Sequence, residues 1–132
     1  MMRATRRADV ARRALAVTGA LLAVGVLGQL LLAGLGVFAG PSWWPGHRAF
    51  VHAFEWLSPL AVVLAYVARV ERATKAVAWA TLVLLFLQYA TAGSQGTAGR
   101  AGLAALHPVG AALLFWASVE LARRAGTRGV GR

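Results

Sequence analysis

Four apolar runs, each near the roughly 20 residues that a helix needs to cross a bilayer, take up most of this 132-residue chain. They lie at Leu15–Phe38, Gly46–Ala68, Ala76–Ala92 and Ala101–Ala122. Backbone groups in hydrocarbon must satisfy one another within the segment, so runs of this kind are helices. The connections between them are too short for extramembrane domains. The fold class expected is therefore all-α, an integral-membrane four-helix bundle, with a basic N-terminal segment at 1–13, a transmembrane domain at 14–123 and a Gly- and Arg-rich tail at 124–132. A composition that is 59% apolar with four acidic residues rules out an ordinary soluble two-domain protein.

The net charge of +10 would suit nucleic acid if the basic residues formed one patch, but they sort by connection instead. Arg3, Arg6, Arg7, Arg12 and Arg13 precede the first run, Arg69, Arg72 and Lys75 separate the second from the third, and Arg123, Arg124, Arg128 and Arg132 follow the fourth. Only Arg48 and Arg100 fall on the other side. Such a bias places both termini in the cytoplasm and accounts for the charge without nucleic acid. Arg6-Arg7 beside Thr5 is similar to a twin-arginine signal, and Phe38-Ala39-Gly40 offers small residues for cleavage. The apolar run between them exceeds the roughly 7–15 residues of a signal peptide, so a retained helix is expected. Trp43 and Trp44 suit the outer interface. With no cysteine, disulfides, thiolate metal sites, iron–sulfur clusters and covalent c-type haem are excluded.

Polar side chains within the runs are where a function would reside, because each is costly in hydrocarbon. Gln29 with Gly34 is followed by His47 and His52; Gln88 with Gly93, at the same spacing, is followed by His107. Taking about 1.5 Å per helical residue from the basic ends puts Gln29, His52, Gln88 and His107 in one outer stratum. The pattern implies two helix-pair repeats of the same orientation, related by an axis along the membrane normal. Helical phase lines up Thr18, Gly25, Gln29, Ala33 and Gly36 on the first run, and His52, Trp56, Pro59 and Val63 on the second. On the third it aligns Thr81, Gln88, Thr91 and Gln95, and on the fourth His107, Gly110, Ala111, Leu114 and Ser118. Small or polar stripes turn inward in lipid, so the four should meet.

Imidazoles projecting from diagonal helices could hold haem b from both faces, with Arg48 and Arg100 near the outer water for its propionates. The alternative is that the His and Gln side chains merely hydrogen-bond across helices, at about 0.6 kcal/mol per pair; this is the preferred role for Gln29 and Gln88, since amides are poor iron ligands. Depth favours His52 as the partner of His107. His47, beside Pro45 and Gly46, reads as an interfacial residue about 140° around a regular helix from His52. Pro108 disfavours helical backbone at His107, so the fourth run kinks or begins there. Glu55 lies three residues from His52 and could orient its ring or carry a proton. A divalent metal site of His52, Glu55 and His107 is conceivable but lacks tight ligand spacing. No catalytic residue is assigned.

The stretch from Gln29 to Gly34 with Trp44-Pro45-Gly46-His47-Arg48, then Gln88 to Gly93 with Leu106-His107, resembles one four-helix half of the haem A synthases. It resembles still more a family of small, uncharacterised four-span bacterial membrane proteins with a Gln-x-x-x-x-Gly, His-Arg and Leu-His-Pro pattern. The resemblance covers most of Gln29–Arg124 and implies a bacterial cytoplasmic membrane. It also implies haem ligation by His107 and, through the His-Arg match, by His47. One half only is present, and the glutamate that those enzymes place shortly before a haem-ligating histidine has no clear counterpart. Three expectations follow: a b-type haem protein passing electrons, a cofactor-free accessory subunit of a membrane complex, or a small transporter. The partners expected are the bilayer and either a second copy of the chain or another membrane protein.

Overall fold

The computed structural model describes residues 2–92 and 101–127. All regular structure among them is helical: α1 (Met2–Phe38), α2 (Trp44–Phe50), α3 (Leu57–Val67), α4 (Arg72–Ala92) and α5 (Ala101–Gly126), with 3-10 turns at Pro41–Trp43 and Val51–Ala53. Four helical segments are long and apolar enough to cross a membrane: Thr5–Phe38, Pro41–Val67, Arg72–Ala92 and Gly102–Gly126. At 37 residues, α1 is about 55 Å long, well beyond a hydrocarbon core of about 30 Å. Arg6, Arg7, Arg12 and Arg13 therefore ride on the first turns of the same helix that is long and apolar enough to cross a membrane.

The second segment departs from the regular helix expected at 46–68. Pro59 has no N–H to give the Glu55 carbonyl, and its ring would clash there in a continuous helix. Instead Ser58 N–H bonds the Glu55 carbonyl at 3.2 Å and Leu57 N–H bonds that of Phe54 at 3.0 Å, and Pro59 falls in the first turn of a new helix, where it is tolerated. The break resets both rise and phase, so the expected inward stripe of His52, Trp56 and Val63 is corrected. Trp56 is 73% exposed and Val63 58%, and the buried face is Phe54, Ser58, Ala61, Val62 and Ala65. α5, by contrast, starts at Ala101 and carries Pro108 inside it rather than beginning there.

Neighbours in the bundle follow chain order: α1 packs on α3 and α5, and α4 packs on α3 and α5. The second and fourth segments are thus diagonal. Near the basic end the core comprises Leu15, Ala61, Val62, Ala65, Val70, Ala78 and Leu121, with Ala11, Ala68 and Ala125. At the other end it comprises Leu22, Val26, Phe54, Leu85 and Leu114. Along each helix a buried hydroxyl lies between the two clusters: Thr18, Ser58, Thr81 and Ser118. Thr18 donates to the Ala14 carbonyl at 2.8 Å, Thr81 to that of Ala78 at 2.8 Å and Ser118 to that of Leu114 at 2.7 Å. Those three hydroxyls are therefore satisfied within their own helices. Large apolar side chains such as Phe38, Phe86 and Trp116 face outward, as befits a surface solvated by acyl chains.

The turn between α3 and α4 is closed by Arg69 at φ 52°. Val70 N–H bonds the Ala65 carbonyl at 3.2 Å and Arg69 N–H that of Tyr66 at 3.0 Å, the paired bonds of a Schellman cap with a left-handed residue. Buried Val70 closes over the end of the core.

Candidate functional site

The end of the bundle away from the basic turns is shaped by aromatic rings seated on glycines. Gly40, at φ 133°, ends the turn after α1, and Pro41 starts the chain back. Trp44, Phe50 and Phe54 then lie on Gly36, Gly28 and Gly25, where an added Cβ would approach the rings to 2.8, 2.7 and 2.6 Å. This ladder draws α2 onto α1 and sets the position of His47, whose ring meets the edge of Trp44 at 5.6 Å.

His47 Nδ1 is 3.1 Å from the Gln29 carbonyl oxygen. On the other side of the bundle His107 Nδ1 is 3.2 Å from the Gln88 carbonyl oxygen and 3.1 Å from Thr91 Oγ1. The Thr91 proton goes to the Leu87 or Gln88 carbonyl at 2.8 or 3.1 Å, so its oxygen accepts at His107. Both Nδ1 atoms face acceptors and so carry the proton, which leaves each Nε2 with a free lone pair. The two half-buried rings have centres 6.4 Å apart and planes at 68°. The structure thus brings together His47 and His107.

The residues beside this pair are polar and unpaired. Gln88 Nε2 and Oε1 and Gln29 Oε1 are buried with no hydrogen-bond partner, so the cross-helix bonding expected of these amides is not made through those atoms. The Gln88 amide fills the space at Gly110, where a Cβ would come within 2.7 Å of its Nε2. Residues 29–95, just over half of the chain, match the family of unknown function DUF6220. The chain belongs to that family. No curated protein and no solved structure matches, so the resemblance to haem A synthases expected from the short motifs is not shown by these comparisons. The DUF6220 segment includes Gln29, His47, Gln88 and Thr91, and it ends before His107.

A second polar cluster in the DUF6220 segment lies between α4 and the break before α3. Glu55 accepts from Tyr89 through Oε2, and its Oε1 is 3.1 Å from His52 Nδ1. The His52 side chain is 64% exposed. His52 is therefore engaged with Glu55 on the outer side of the bundle. Among the described residues no three His, Cys, Asp or Glu side chains converge as a metal site, so His52, Glu55 and His107 are not assembled into one. Arg48 is exposed; Arg100, Gly93 and Gln95 lie outside the described residues. Tyr89 was not anticipated as part of any site. Its signal was positional: it follows Gln88 by one residue, which turns it about 100° from the inward stripe toward the neighbouring segment.

Proposed function

We propose that this membrane protein binds b-type haem between His47 and His107 and passes electrons within the bilayer. The observation that carries the reading is the pair itself, with ring centres 6.4 Å apart and both Nδ1 atoms directed at carbonyl oxygens. His47 and His107 would hold the haem iron through their Nε2 atoms. The carbonyls of Gln29 and Gln88 hold the tautomer that leaves Nε2 available and orient each ring. The buried amide of Gln88, unpaired within the protein, also supports a ligand at this level, since such groups ordinarily find a partner. Bound haem supplies reversible one-electron transfer. Exposed Arg48, and Arg100 outside the described residues, would supply the positive charge for its propionates.

The same carbonyl-to-Nδ1 bond in both halves supports an internal repeat about an axis along the membrane normal. The distribution of basic residues supports termini on the cytoplasmic side, and the resemblance to small four-span bacterial proteins supports an inner-membrane location. Absorption spectroscopy of protein expressed with a haem supply tests the central reading. A Soret band is expected for the unaltered chain and for His52→Ala, and its loss for His47→Ala and for His107→Ala. Colourless unaltered protein would sink the reading in favour of a cofactor-free accessory subunit. Retention of the band in the His47→Ala, His107→Ala double variant would sink it equally.

A further inference from the structure

A groove of about 760 Å³ runs between α1 and α3 at the basic end of the bundle. Its walls are Val10, Ala11 and Ala14 from α1 and Leu64 and Val67 from α3, and Arg6 and Arg7 complete its lining. No carboxylate is among the lining residues. The groove sits where the apolar part of α3 ends at Val67 and where the basic turns of α1 give way to its apolar run. In a bilayer this is the level at which phosphate headgroups meet acyl chains.

We infer that this groove is a binding site for one anionic phospholipid, independent of any cofactor at the histidine pair. The apolar walls accept an acyl chain along the helices. Arg6 and Arg7 stand one helical turn beyond Val10 and present planar guanidiniums suited to bidentate bonds with phosphate oxygens. A zwitterionic phospholipid carries its own ammonium beside the phosphate, which opposes the two arginines. A headgroup with a phosphodiester and no cation is the complementary one.

Native mass spectrometry of the protein released from nanodiscs of mixed phosphatidylglycerol and phosphatidylcholine tests the site. One retained phosphatidylglycerol is expected. Its apparent affinity should fall by tenfold or more, roughly the contribution of two surface arginines, in the Arg6→Gln, Arg7→Gln variant. The Arg13→Gln, Arg72→Gln variant removes the same charge from the same end but outside the groove lining and should lower the affinity clearly less, since it loses only the diffuse surface attraction and not the contacts to the bound phosphate. Ala14→Phe, which fills the groove without altering charge, should also release the lipid. Inorganic phosphate at millimolar concentration should not displace it. Equal losses in the two double variants would mean diffuse charge attraction and overturn the site, as would undiminished retention in Arg6→Gln, Arg7→Gln or displacement by free phosphate.

Discussion

Ser58 is completely buried and its hydroxyl has no partner, whereas the three hydroxyls at its level return theirs to their own helices. An unmade bond in the interior costs more than the hydroxyl contributes by packing. Ser58→Ala should therefore leave stability unchanged or raise it by about 1 kcal/mol, as measured by denaturant unfolding in bicelles. Thr81→Ala, which empties a packed position and removes a satisfied bond, should lower stability by about 1 kcal/mol in the same assay. At this scale the chemistry of the candidate site was legible as residue types: His47, His107, Gln29 and Gln88 all stand out in an apolar background. Which histidine meets His107 was not legible from depth. That estimate assumed a uniform rise through the second segment, and the backbone at Val51–Trp56 does not supply one.

Contacts between elements depend on close approach and on how helices end. A Cβ at Gly19 would lie 2.7 Å from the Ala122 nitrogen and 2.9 Å from the Ser118 carbonyl oxygen, and backbone cannot move aside as a flexible side chain can. Gly19→Ala should force α1 and α5 apart and cost about 1–3 kcal/mol, seen as an earlier unfolding midpoint. Arg69 occupies a left-handed position that disfavours side chains by about 1–2 kcal/mol. Arg69→Gly should match the unaltered protein or exceed it by about 1 kcal/mol in the same assay once glycine's greater unfolded-state freedom is set against that gain. Arg69→Val, β-branched at the same φ, should fall below both. Pro59 and Pro108 illustrate why such outcomes are hard to read from letters. One coincides with the break before α3 while the other is carried within α5, and a proline's letter alone does not say which will happen.

The whole molecule should show an even number of crossings, with both ends on one side. Because the chain has no cysteine, single cysteines can report sidedness directly. Ser42→Cys should react with an impermeant maleimide on intact cells, and Thr127→Cys only after lysis; labelling of both on intact cells would contradict four crossings with cytoplasmic termini. Four apolar runs, their helical state and the sorting of basic residues between connections could all be read along the chain, because hydropathy and loop charge act on each segment separately. Inward stripes were legible on the unbroken helices, where Thr18, Thr81, Leu114 and Ser118 are buried as phase predicts. The outward turn of His52 toward Glu55 and Tyr89, the seating of Trp44, Phe50 and Phe54 on the glycines of α1 and the approach of His47 to His107 were decided only when the helices packed. The His52–Glu55 contact is local, three residues apart, but the Tyr89 bond, the ring–glycine seats and the histidine pair each join separate helices, and a single break in helical phase is enough to redirect a side chain from the bundle interior to its surface.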